Sequence, residues 1–86
     1  MITREHIVEV VKETILEILL GVESDSIVLN QPFKDLGANS VDRVDIFCSS
    51  MEQLDIKLPL MTFKQVINAS ELIDVLYEHI HDTEKT

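Results

Sequence analysis

The chain has 86 residues, one cysteine and a formal net charge of −9. One cysteine excludes an internal disulfide, and so acidic a surface would be repelled by DNA or RNA. With 45% hydrophobic residues but only 5% aromatics, a single, largely aliphatic core is expected, with no disordered chain.

The first residues carry no basic stretch followed by an apolar signal core, and no run is long enough to cross a membrane. The expectation is one cytoplasmic, monomeric domain over 1–86. Its protein partners should dock through basic patches, which such a field attracts.

Thr3 is the expected cap of a first helix over 3–20. Ile7, Val8, Val11, Ile15, Leu16, Ile18 and Leu19 recur at three- and four-residue steps and form its apolar face. Gly21 is a natural stop. Glu5, Glu9, Glu13 and Glu17 line the opposite face, where each like-charged pair costs about 0.2–0.5 kcal/mol. They read as a solvated face, because a metal would need ligands converging from elsewhere. Residues 21–39 lose the periodicity at Ser24, Asp25, Ser26, Asn30, Pro32 and Gly37. Within them Ile27, Leu29, Phe33 and Leu36 are expected to pin the loop to the core, with at most a short helical turn.

A second helix is predicted over 40–54. Asn39 and Ser40 are both good N-caps, so either could begin it. Val44, Phe47, Cys48, Met51 and Leu54, with Val41 on the same side, are the expected core stripe. Cys48 reads as a small core residue, and Ile46 falls off the stripe, partly exposed. Asp42, Asp45, Ser49 and Glu52 form an outer polar strip beside Arg43. Pro59 keeps the link over 55–60 extended. Thr62 and Gln65 have capping-box spacing and predict a short helix over 62–67. Asn68 and Glu71 offer a second box for a last helix over 69–80, with Leu72, Ile73, Val75, Leu76 and Ile80 on its apolar face. The polar tail, 81–86, is expected to fray. No strand has a partner, so the fold class is an all-α bundle with a long first loop and a short third helix.

Few catalytic constellations survive. The two glycines form no phosphate-binding loop. His6, His79 and His81 lie near the ends and Cys48 in the middle, a spacing unlike a zinc site. A chain this small has little room for a Ser-His-acid triad with an enclosed pocket, which disfavours a small hydrolase. What remains is Ser40, which taken alone reads as a helix cap, with acids on the helix behind it.

Phe33-x-Asp35-Leu36-Gly37-x-x-Ser40-x-Asp42-x-x-Asp45 resembles the attachment motif of acyl carrier proteins, and the likeness spans the whole chain. It implies a four-helix bundle with a long first loop and no catalysis of its own. It implies 4′-phosphopantetheine on Ser40, joined by a phosphodiester and installed from coenzyme A by a phosphopantetheinyl transferase. The arm's thiol would then hold acyl groups as thioesters. Asn39, Val41, Asp42, Arg43, Asp45, Ile46 and Glu52 become the expected recognition residues, and no metal is implied. Asn39 stands where the family usually has Asp, and Val41 where it has Leu. The asparagine keeps the capping ability but drops a charge, which bears on which transferase recognises the protein.

Residues 40–46, then Met51-Glu52-x-Leu54-x-Ile56-x-Leu58-Pro59, look like the stand-alone carriers of bacterial polyketide β-branching, with Arg43, Phe63 and Ala69-Ser70-Glu71-Leu72 adding to the likeness. That branch implies an acetyl donor carrier. Its partners would be an acyltransferase, a decarboxylating ketosynthase-like enzyme and a 3-hydroxy-3-methylglutaryl (HMG) synthase-like enzyme. Arg43 would contact the synthase, against the plainer reading of a surface ion pair. Two other classes of reading stand beside it. One is a fatty-acid or aminoacyl carrier; the other is a non-covalent helical module in which Ser40 only caps.

Overall fold

Thr3 opens the first helix as expected: its side-chain oxygen accepts a hydrogen bond from the His6 N–H at 3.1 Å. The computed structural model describes residues 2–85, with side chains as far as residue 81. Three helices carry the fold: α1 (Arg4–Ile18), α2 (Ser40–Gln53) and α3 (Ala69–Lys85). Single 3-10 turns occupy Ser24–Ser26, Phe33–Leu36 and Leu60–Phe63. Among the described residues there is no strand; an isolated bridge joins Pro32 and Asn68.

The architecture is all-α, with α1 packed against both α2 and α3. Ile7, Val11 and Ile15 meet Ile46, Phe47 and Met51 from α2 and Leu72, Ile73 and Leu76 from α3 in one core. Each such side chain contributes about 1.5–3 kcal/mol when fully buried. Thr14 is the polar member that fits: its hydroxyl donates to the Val10 carbonyl at 2.8 Å and accepts from Gln53 Nε2 at 2.9 Å. The four glutamates of α1 stay in solvent.

The loop over 21–39 is pinned as its apolar residues suggest. Ile27 and Phe33 are buried, and Leu29 and Leu36 pack against the core. Backbone bonds stitch the loop to the start of α3. The Phe33 N–H donates to the Ile67 carbonyl and the Ser70 N–H to the Leu29 carbonyl, both at 2.8 Å. Beneath α2 the Phe47 ring meets Phe33 edge-on at 5.9 Å and stacks on Phe63 at 5.0 Å. Three aromatic rings thus join the loop, α2 and the Leu60–Phe63 turn.

Several boundaries differ from the sequence expectation. The short helix expected over 62–67 is instead the 3-10 turn at Leu60–Phe63. Pro59 (φ −61°, ψ 144°) starts it early, and the Thr62 N–H is already bonded inward to the Pro59 carbonyl at 2.9 Å, so Thr62 lies within the turn and cannot cap it. α1 ends at Ile18 because Leu19 leaves helical geometry to enter the core. At the start of α3, Asn68 accepts from the Glu71 N–H at 2.8 Å. The Glu71 carboxylate reaches back to the Ile67 N–H at 2.9 Å. α3 then runs to Lys85 where fraying was expected from 81. No Pro or Gly interrupts it, Ile80 is buried, and the Tyr77 ring stacks on His81 at 5.1 Å. Thr86 lies outside the described residues.

α2 ends in a Schellman motif. The Ile56 N–H donates to the Met51 carbonyl at 2.8 Å and the Asp55 N–H to the Glu52 carbonyl at 3.2 Å. Asp55 takes the left-handed position at φ 56°, where glycine carries no steric cost. Asp55→Gly is therefore expected to stabilise the fold by about 1 kcal/mol, raising Tm by about 4–8 °C. A lower Tm would contradict this account of the turn.

Candidate functional site

The 3-10 turn at Phe33–Leu36 ends on Gly37, whose φ of 91° suits glycine and strains other residues. The Ala38 N–H returns to the Phe33 carbonyl at 3.1 Å, and the Ala38 side chain is buried. With Phe33 locked below and Ala38 tucked in, the next two residues, Asn39 and Ser40, are presented at the surface. This is what the Asp35-Leu36-Gly37 sequence does physically.

Asn39, not Ser40, caps α2. Its side-chain oxygen accepts from the Asp42 N–H at 2.8 Å, and the Asp42 carboxylate accepts from the Asn39 N–H at 3.1 Å. The result is a complete capping box. Reading Ser40 as the cap is thereby overturned. Asp42, expected on the outer recognition strip, spends its carboxylate on the box.

Ser40 is the first residue of α2 and is exposed. Its hydroxyl accepts from Arg43 Nη2 at 3.4 Å, a long contact. The N–H groups of Ser40 and Val41 have no intrahelical partner, as at any helix start. Arg43 does not form the surface ion pair that its acidic neighbourhood suggested. Among the described residues no carboxylate lies within pairing distance of it, whereas Arg4 does pair with Asp74. One turn before Arg43 stands the neutral Asn39, whose carbonyl accepts the Arg43 N–H at 3.0 Å, and one turn after it stands Phe47.

A cleft of about 240 Å³ opens beside Ser40 between α2 and the Leu60–Phe63 turn. Val44, Phe47, Leu60, Phe63 and Val66 make it apolar, and Arg43 and Lys64 add positive charge. Its lining holds no histidine, carboxylate or thiol that could run acid-base or nucleophilic chemistry. Arg43 also borders a second cleft, of about 370 Å³, lined by Pro32, Lys34 and Ile67. The arrangement can present one hydroxyl and accommodate an anion beside it.

The outer face of α2 also departs from expectation. The inner face of α2 buries Ile46, Phe47, Ser50 and Met51, with the C-cap Leu54 beside them. Ile46, expected to be partly exposed and to contact partners, is fully buried and cannot do so. Cys48, expected in the core, is exposed. The outward stripe is Val41, Val44, Asp45, Cys48 and Glu52, at helical spacing of its own. Asp45 and Glu52 are exposed there. Val44, expected in the core, and Leu60 add exposed apolar surface to the cleft beside Ser40. A signal existed in the spacing of Val41, Val44 and Cys48, which repeats as well as the true core stripe.

Among the described residues no group of three His, Cys, Asp or Glu could hold a metal, and no helix is long and apolar enough to cross a membrane. The family model described as "Phosphopantetheine attachment site" matches residues 9–76. A polyketide biosynthesis acyl-carrier-protein, AcpK, of Bacillus subtilis (strain 168) is 32% identical over 77 residues, covering 90% of this chain and 94% of that one. An acyl carrier protein of Cyanidioschyzon merolae (strain NIES-3377 / 10D) is 31% identical over 78 residues, covering 90% and 85%. Another, of Cyanidium caldarium, is 25% identical over 83 residues, covering 95% of each chain. No solved structure matches the chain significantly.

Proposed function

The chain belongs to the acyl carrier proteins of the phosphopantetheine-attachment family, and we propose that Ser40 bears its arm and that its cargo is the donor unit of polyketide β-branching. Proteins of this family are non-catalytic carriers. They are loaded by a phosphopantetheinyl transferase and then serve biosynthetic enzymes. The group attached is 4′-phosphopantetheine, whose thiol supplies the thioester chemistry.

The observation that carries the assignment to Ser40 is the Asn39–Asp42 capping box. It relieves Ser40 of capping and leaves an exposed hydroxyl on a rigid helix start. The donor set fits a phosphodiester: a guanidinium lies beside the hydroxyl, and the Ser40 and Val41 N–H groups sit at the positive end of the helix dipole. The test is intact mass after incubation of the apo protein with coenzyme A and a broad-specificity transferase, beside Ser40→Ala.

The donor role draws support from the polyketide carrier among the relatives and from the residue pattern around Ser40. In this role an acyltransferase and a decarboxylating ketosynthase-like enzyme prepare an acetyl group on the arm in the cytoplasm. An HMG-synthase-like enzyme then adds that group to a β-keto function on another carrier. The acetyl-loaded protein should be accepted by such a synthase in preference to an ordinary fatty-acid carrier. Equal use of the two would assign this chain to general acyl transport instead.

Asp45 and Glu52 are the acids free to meet basic patches on these partners. Asp45→Lys is expected to slow association about tenfold or more at low salt, with the deficit shrinking at high salt. Stability should move by no more than about 0.5 kcal/mol, since Asp45 is an exposed residue outside the capping box. Unchanged association with every partner tested would remove Asp45 from the docking face. Asp42→Lys is a poorer probe, because it would break the cap as well.

A further inference from the structure

We propose that Arg43 is an intramolecular clamp for the phosphodiester of the arm, and that the neutral Asn39 one turn earlier is what keeps it available. The proposal rests on attachment at Ser40 and goes beyond it, by giving Arg43 a role within the carrier instead of at a partner's surface.

The chain holds sixteen Asp and Glu against seven Lys and Arg. Among the described residues Arg4 pairs with Asp74, whereas Arg43, like Lys12, Lys34, Lys57 and Lys64, has no carboxylate within pairing distance. What sets Arg43 apart is its place: its guanidinium contacts the Ser40 hydroxyl at 3.4 Å. That separation is long for a hydrogen bond, so the guanidinium sits beside the hydroxyl without being committed to it. Three things withhold a carboxylate from it. Asp42 is held in the capping box, Asn39 is uncharged at the position one turn before, and Phe47 occupies the position one turn after. The fork of Arg43 is therefore open at the point where a phosphodiester on Ser40 would place its charge. Guanidinium binds phosphate through paired, charge-assisted hydrogen bonds, whereas a lysine would act there only as a point charge. Lys34 and Lys64, in the two clefts that Arg43 borders, reinforce the positive field. Arg43 is a positioning residue here: it fixes where the arm begins, not what its thiol does.

The experiment compares fully loaded wild type, R43Q and N39D, with loading established by intact mass and folding by circular dichroism. The readouts are the phosphorus NMR line and the Arg43 Nε–H resonance. In wild type the Nε–H resonance should shift on loading, and the phosphorus line should lie away from that of free phosphopantetheine. R43Q should return the phosphorus line towards the free position. In N39D one carboxylate oxygen takes over the cap and the other is left to face Arg43 one turn on, so the fully loaded variant should do the same in part. Identical phosphorus lines in loaded wild type and R43Q would overturn the clamp and leave attachment intact. Absence of any mass adduct on wild type would instead overturn attachment at Ser40, and the clamp with it.

Discussion

Ser40→Ala is expected to take up no pantetheine at all and to fold as well as the wild type. Asn39→Ala is expected to do the reverse. The two residues are adjacent, and both could have begun the helix. The structure divides their work. Asn39 satisfies the Asp42 N–H and receives the Asp42 carboxylate on its own N–H. Removing such a cap costs about 0.5–2 kcal/mol. Ser40 has only the long contact with Arg43 to lose, and alanine is a better helix former at that place, so its stability change should stay within about 0.5 kcal/mol. Urea denaturation and intact mass on the two variants read these effects separately. A large loss of stability in Ser40→Ala, or an adduct that persists in it, would undo the division.

Phe33→Ala is expected to cost about 3–5 kcal/mol. The total stability of a chain this size is about 4–13 kcal/mol by the usual scale per residue. Much of the population could then unfold under mild denaturant. Phe33 is fully buried and lies edge-on to Phe47, and its backbone holds both Ile67 and Ala38. Truncating it removes the floor beneath the Gly37 turn, so the presentation of Ser40 should loosen before the helices melt. Hydrogen exchange should therefore rise first over residues 33–39. Uniform loss of protection across α1 and α3 at the same denaturant would mean that the loop and the bundle open as one unit.

The fold was largely legible because α1 and α3 have one apolar stripe each, and a single stripe leaves no choice of face. α2 has two. Val41, Val44 and Cys48 step by three and four residues, as Phe47, Ser50 and Leu54 do, and the stripe that faces inward includes a serine. Ser50 is buried with no hydrogen-bond partner among the described residues. The sequence reading mixed the two: Phe47, Met51 and Leu54 are core as expected, Val41, Val44 and Cys48 are not, and only packing decides between them. The site was legible as a motif but not as a division of labour. Whether Asn39 or Ser40 caps turns on one hydrogen bond, set by the angle at which the Gly37 turn delivers the chain. The clefts beside Arg43 join residues far apart in sequence, which no local pattern reports.

Cys48 has a practical consequence. It is the sole cysteine of the chain, and it lies exposed on the outward face of α2. Thiol titration of the native protein should therefore count one reactive sulfur before the arm is attached and two afterwards, falling back to one when the arm is acylated. The protein carries its own internal standard for each stage of its loading cycle, with no denaturation or label needed to read it.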